Sequence, residues 1–171
     1  MTADESRESR RKAREVALQV LYAVDQGEGA RSRQAEPAPP TDEDHVDAKV
    51  PAATPPGTPE ETFEAVAEHF EMAAAAKAFA RELALAVQAR RDDLDATVAA
   101  HARNWRVERM AVVDRNILRL ATWELRFTDT PVPIVLDEAV NLARRFGDEP
   151  SPGFVNGILD AIARDVRPSA S

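Results

Sequence analysis

Apolar residues recur at helical spacing along most of this chain, and no segment sustains the alternation of apolar and polar residues that a strand requires. The first such apolar face consists of Ala13, Val16, Ala17, Val20, Leu21 and Val24. Gly27 and Gly29 follow this face, and glycine commonly ends helices, so the first helix is predicted to end there. The pattern predicts an all-α fold.

Residues 28–57 form a segment of different composition. It contains six prolines, an acidic cluster at 42–44 and almost no large apolar residue. Such a composition cannot bury enough apolar surface to offset the entropy that folding costs. The sequence therefore predicts a long, disordered, acidic, proline-rich insertion.

Helical patterns resume with "TPEE" at 58–61, which has the residue types of a capping box. A central helix is predicted within 105–129, another opens at Pro133, and a last one starts at Ser151. The dipeptide Asn156-Gly157 is typical of hairpin turns. It falls within a helical period, however, and we predict that the last helix continues through it, giving about seven helices in all.

The sequence offers little for catalysis or metal binding. It has no cysteine, and His45, His69 and His101 are far apart. It also lacks a glycine-rich phosphate loop and a strand–turn–helix nucleophile motif. We therefore expect neither an enzyme nor a cofactor or metal. No apolar run reaches the length of a membrane span, and the chain is predicted to be cytoplasmic.

Three residues of the helical part have two interpretations each. Trp105 and Trp123 lie beside apolar residues at helical spacing, which favours core positions over a binding role. Glu124 adjoins the apolar face of the central helix. A capping role or a salt bridge with Arg119 or Arg126 is the favoured interpretation for it.

A cluster of cations lies near the start of the first helix, although the net charge of the whole chain is −8. The cluster consists of Arg7, Arg10, Arg11, Lys12 and Arg14. Cations are disfavoured at the positive end of a helix, and bound phosphates would reverse that effect. The cluster is therefore interpreted as an RNA-binding arm, with a solvated helix end as the alternative.

Three stretches together resemble the NusB family of transcription antitermination factors. They are "RRKAREVALQVLYAVDQ" at 10–26, "VDRNILRLATWELRF" at 113–127 and "VPIVLDEAVNLARRFGDEPSPGFVNGILD" at 132–160. The resemblance implies two packed small helical bundles in a single RNA-binding domain over 1–171. It further implies binding of boxA RNA together with NusE, a small-subunit ribosomal protein, and assembly with RNA polymerase at ribosomal RNA operons.

The resemblance also implies site residues. The RNA surface would comprise Arg10, Arg11, Lys12, Arg14, Tyr22 and Phe154. Tyr22 and Phe154 could stack on unpaired bases, with core positions as the alternative. The helix around Asp114 would face NusE. The implied mechanism is assembly rather than catalysis.

Two departures from the family pattern leave alternatives open. The turn "DEPSPG" at 148–153 offers no cation to RNA, although the helix start at Ser151 could receive a phosphate through its backbone. A protein-interaction adaptor with little RNA binding is therefore the alternative function. The acidic insertion is either a passive linker or a competitor of RNA for the basic arm. A further alternative is a homodimer whose interface covers the basic arm.

Overall fold

The computed structural model describes residues 2–35 and 57–168. These residues form seven α-helices and one short 3₁₀ helix, and they contain no strand. The helices are α1 (Ala3–Ala35), α2 (Pro59–Ala67), α3 (Ala74–Ala89), α4 (Arg91–His101), α5 (Val112–Phe127), α6 (Val132–Phe146) and α7 (Ser151–Val166), with the 3₁₀ helix at Val107–Arg109. The all-α prediction is confirmed. None of the described helices combines the length and hydropathy that a bilayer crossing requires.

The helices pack as two small bundles, as the family resemblance implies. Helix α1 packs against α2 and α3 in the first bundle, and α4, α5, α6 and α7 pack together in the second. The two share one core because α1 also packs against α5. Helix α5 is central, since consecutive residues from Asn116 to Leu125 are all buried.

The predicted end of the first helix at Gly27 and Gly29 is wrong. Helix α1 continues to Ala35. Glycine inside a helix costs about 1 kcal/mol relative to alanine but does not by itself end the helix. The continuation is supported by an ion pair between Glu28 and Arg91 at the start of α4.

The start of the insertion shifts accordingly. Residues 28–35, predicted as part of it, are helical. Residues 36–56, which contain the acidic cluster and His45, lie outside the described residues.

The start of α1 also differs from the prediction, because the helix begins before the cations. Asp4 and Glu5 occupy its first turn. The Thr2 amide donates to Glu5 Oε2 at 2.6 Å, and the Glu5 amide donates to Thr2 Oγ1 at 3.2 Å, which is a reciprocal cap. The cations therefore begin in the second turn, where the effect of the helix dipole has already fallen. The dipole argument for a bound phosphate does not apply to them.

Several local predictions are confirmed. The Thr58 hydroxyl accepts from the Glu61 amide at 3.2 Å, and the Glu61 carboxylate accepts from the Thr58 amide at 2.7 Å. Asn156 and Gly157 lie within α7. Gly147 follows α6, as expected of a glycine that closes a helix, and a Cβ atom there would lie 2.7 Å from the Ser151 side chain. Glycine at this position thus permits the close approach of α6 and α7.

His101 at the end of α4 joins this helix to α7 and gives a pH-dependent prediction. Its Nδ1 lies 2.8 Å from the Thr97 carbonyl and its Nε2 lies 2.6 Å from Asp165 Oδ2. The backbone bond to Thr97 and the Asp165 carboxylate raise the His101 pKa against the opposing effect of burial. A raised pKa means that the stabilisation is complete below the unfolded value of about 6.5 and is lost as pH rises through the folded value.

The substitution His101→Gln is therefore expected to cost more stability at pH 6 than at pH 8. Thermal unfolding at the two pH values measures this difference. His69 is exposed, so His69→Gln serves as the control, with no such pH-dependent gap. An equal loss of stability at both pH values for His101→Gln would contradict the conclusion that folding raises the His101 pKa.

Candidate nucleic-acid interface

A concave cleft of about 850 Å³ lies between the first half of α1, helix α6 and the start of α7. Five of the side chains that line it are arginines, namely Arg7, Arg10, Arg11, Arg14 and Arg144. The cleft also contains the amide side chains of Asn141 and Asn156 and the backbone of Pro152 and Gly153. It thus combines cations with groups that can both donate and accept hydrogen bonds.

Three of these arginines are available to a ligand. Arg7, Arg10 and Arg144 are exposed, and none has an ion-pair partner among residues 2–35 and 57–168. Arg7 and Arg10 lie one turn apart on α1, whereas Arg144 approaches from the last turn of α6. Arg144 was missed by the sequence reasoning. Its spacing from Asp137 and Asn141 places all three on one face of α6, and that signal could have identified it.

Arg11 is partly engaged within the protein. Its Nη2 lies 3.2 Å from Glu138 Oε1 and its Nε lies 3.3 Å from Oε2. The hydrogen bonds and charge of Glu138 raise the Arg11 pKa. The Arg11 side chain remains 42% exposed, so it can contact a phosphate while its position is held by Glu138.

Arg14 differs from its prediction, because it is buried rather than presented to RNA. It is 3% exposed, and its Nη2 and Nε donate to the Glu124 carboxylate at 2.7 Å and 3.0 Å. Glu124 thus forms a salt bridge, as expected, but its partner is Arg14. Arg119 binds Asp25 and Asp95 instead, and Arg126 binds Asp93. Arg14 joins the two bundles and supports the floor of the cleft.

Lys12 and Tyr22 lie outside the cleft lining. The Lys12 ammonium lies 5.1 Å from the centre of the Phe70 ring, in cation–π geometry. Tyr22 is 40% exposed, and its hydroxyl accepts from Gln26 Nε2 at 3.0 Å. Tyr22 is therefore a surface residue, but twelve residues beyond Arg10 it lies about 18 Å further along α1.

Of the core positions predicted for the two tryptophans, one is confirmed and one is wrong. Trp123 is in the core at 7% exposed, as expected. Trp105 is 58% exposed, so its predicted core position is wrong. Phe154 is half-buried, and its ring packs edge-on against Trp105 with 5.3 Å between ring centres. The helical spacing misled because Trp105 lies between α4 and the 3₁₀ helix, outside any helix.

Asp114, which the resemblance implied to lie on the helix facing NusE, is buried near the start of α5. It is 8% exposed, and its Oδ1 has no hydrogen-bond partner within the described part of the chain. Burial raises the Asp114 pKa. The hydrogen bond with the Ser151 side chain lowers this pKa, and the negative charge of Asp148 raises it further. The carboxyl group thus lies between the starts of α5 and α7.

The turn before α7 supplies no cation, in agreement with the sequence. Asp148 and Glu149 are exposed, and the Asp148 amide donates to Ser151 Oγ at 3.1 Å. The positive charge on this side of the cleft comes from Arg144 instead. Within the described ranges, no three histidine or acidic side chains are placed to hold a metal ion.

Comparison with known proteins identifies the family. The model of the NusB family matches residues 11–164. The chain belongs to the NusB family. Among the most similar relatives, the transcription antitermination protein NusB of Koribacter versatilis is 37% identical over 159 residues, covering 92% of this chain and 90% of the relative. The NusB protein of Sorangium cellulosum is 38% identical over 159 residues, covering 92% and 94% of the two chains.

Solved NusB structures have the same fold. The T. maritima NusB structure has a TM-score of 0.69 at 31% identity and covers 93% of both chains. A structure described as antitermination factors NusB and NusE in complex with dsRNA has a TM-score of 0.68 at 26% identity. It covers 92% of this chain and 98% of that one.

The cleft thus brings together only some of the RNA-binding residues that the resemblance to the NusB family implied. Arg10 and Arg11 line the cleft with usable charge, whereas Arg14 lines it from a buried position. Lys12, Tyr22 and Phe154 are absent from the lining. Arg7 and Arg144 are the other two arginines that line the cleft in this member of the NusB family.

Proposed function

We propose that this chain is a transcription antitermination factor that binds boxA-type leader RNA together with NusE. The observation that carries the proposal is the cleft on a NusB fold, with Arg7, Arg10 and Arg144 exposed and unpaired among the described residues. Clustered cations without carboxylate partners raise the free energy of the unbound protein, and phosphates relieve that repulsion. Because the chain belongs to the NusB family, we take RNA as the polyanion that binds in the cleft.

The cleft can both attract RNA and read it. Arg7 and Arg10 from α1 and Arg144 from α6 lie on opposite walls, so they can contact phosphates on two sides of one strand. Arg11, held by Glu138, adds a fixed guanidinium fork for a further phosphate. The amides of Asn141 and Asn156 can hydrogen-bond the edges of unpaired bases.

We place the contact with NusE at the start of α5. Asp114 lies beneath the surface there, so in this proposal it holds the starts of α5 and α7 in position, and NusE contacts the surface that covers it, which includes the exposed Ala111. A solved NusB relative is described in complex with NusE and dsRNA, which supports such a joint surface. The protein would act by assembly with RNA polymerase in the cytoplasm, chiefly at ribosomal RNA operons, and not by catalysis.

The adaptor alternative rests on acidic groups near the cleft. Asp137 and Glu138 lie on its α6 wall, and Asp148 and Glu149 are exposed in the adjoining turn. These carboxylates weaken the attraction for phosphate. If they dominate, the protein would bind NusE while binding RNA only weakly.

Fluorescence anisotropy with boxA RNA and a scrambled control RNA tests the proposal, each with and without NusE, across a range of salt concentrations. We expect preferential boxA binding that strengthens with NusE and weakens steeply as salt increases. Equal weak binding of both RNAs, with NusE still bound, would favour the adaptor.

A further inference from the structure

Trp105 presents a large aromatic surface that the fold does not use. It is 58% exposed, and its one aromatic neighbour among the described residues is the smaller Phe154 ring, at 5.3 Å between ring centres and an interplanar angle of 73°. Such a contact fixes the orientation of the indole and leaves ring surface open. Exposed tryptophan faces are the usual platforms on which unpaired bases stack.

The chain around Trp105 is cationic. Arg103, Arg106 and Arg109 are all exposed, and no carboxylate of the described residues lies within ion-pair distance of them. Glu108 is the acid of this segment, which leaves the cations in excess.

A second groove of about 550 Å³ adjoins Trp105. It lies between α4 and the 3₁₀ helix, and its charged lining residues are Arg106, Arg109, Glu108 and Asp95. The Asp95 carboxylate in the groove is already bound by Arg119, with Nε to Oδ1 at 2.6 Å. Arg106 and Arg109 therefore outnumber Glu108, the other acid in the groove, and the net positive charge favours an anionic ligand.

The two concave surfaces are adjacent. Pro152, Gly153 and Asn156 of α7 line the arginine cleft, whereas Phe154, in the same turn, contacts Trp105. One helical turn thus separates the cleft from the tryptophan. Gly153 lies between Pro152 and Phe154, and the space beside it is open, because a Cβ at position 153 would have no neighbour within 4 Å. The surface between the cleft and Trp105 is therefore free of side chains at this position.

We propose that Trp105, with Arg106 and Arg109, forms a second single-stranded RNA subsite, in which Trp105 stacks on a base of the RNA segment that flanks the one held in the cleft. This inference rests on the proposed function, because the cleft supplies the first contact. The aromatic platform beside unpaired arginines favours RNA over a protein partner, since it offers a stacking face and phosphate contacts together.

The test compares two RNAs, the boxA core alone and the core extended by about six unpaired nucleotides at each end. Trp105→Ala is expected to weaken binding of the extended RNA about tenfold and to leave binding of the core RNA unchanged. Trp105→Phe retains a smaller ring and should restore part of the affinity. Phe127→Ala removes an exposed aromatic at the end of α5, away from Trp105, and is the matched control, with no effect expected on either RNA.

Tryptophan fluorescence reports the stacking directly. The chain has two tryptophans, and Trp123 is buried. Extended RNA should therefore quench emission in the wild type and protect it from acrylamide, and neither effect should occur in Trp105→Phe. Arg106→Gln with Arg109→Gln should lower the salt dependence for the extended RNA only.

The outcomes separate this inference from the proposed function. If the core RNA binds but Trp105→Ala affects neither RNA, the subsite is refuted and the cleft assignment stands. If the variant weakens binding of NusE while RNA affinity is unchanged, the surface belongs to the protein partner and the subsite is also refuted. If neither RNA binds the wild type, both proposals fail.

Discussion

Replacing Glu124 with glutamine is expected to lower the free energy of unfolding by about 3–5 kcal/mol, because it leaves the Arg14 guanidinium buried without a counter-charge. Both side chains are almost fully buried, at 4% and 3% exposed. They connect α1 to α5 and hence one bundle to the other. Urea unfolding followed by circular dichroism at neutral pH measures the loss.

Glu64→Gln is the matched control for this result. The Glu64 carboxylate forms an ion pair with Lys77 at 3.2 Å, but these side chains are 56% and 48% exposed. Removing this exposed pair should cost at most about 1 kcal/mol. Equal losses in Glu124→Gln and Glu64→Gln would show that burial of the Arg14–Glu124 pair does not set its contribution.

The triple change of Arg7, Arg10 and Arg144 to glutamine is expected to abolish most boxA binding. Removing three phosphate contacts should lower the slope of log affinity against log salt by about 2 for a single strand. The fold should persist, since these side chains are exposed and lack ion pairs among the described residues. Anisotropy titrations at several salt concentrations measure the slope, and thermal unfolding checks the fold.

A second triple variant controls for net charge. Arg81, Arg90 and Arg164 are also exposed, but they lie outside the cleft lining. Changing them to glutamine removes the same charge and should leave the slope almost unchanged. If the two triple variants weaken RNA binding equally, the attraction between protein and RNA depends on the overall charge of the protein, and the cleft is not the RNA-binding site.

Patterns along the chain were sufficient for most of the fold. Helical spacing without alternation predicted the all-α architecture, and the 58–61 capping signal marked the start of α2 correctly. Helix α7 continued through Asn156-Gly157, because its buried face at Val155, Ile158 and Leu159 outweighs a local turn preference. These features depend on residues that are close in sequence.

The ends of α1 were predicted less well. Its start depends on a cap formed by Thr2 and Glu5, which precede the apolar pattern. Its extension past Gly29 is accompanied by the contact between Glu28 and Arg91, which are far apart in the chain. Glycine preference is a weak local signal that a tertiary contact can override.

The candidate site shows the same division. The sequence by itself determined the helical fold, the family and the presence of a cationic segment on α1. Only the tertiary structure decided that Arg14 is buried, that Arg144 joins Arg7 and Arg10, and that Trp105 lies at the surface. The physical reason is that helical periodicity assigns a residue to a face of its own helix, whereas burial, ion pairing and exposure depend on which distant helix packs against that face.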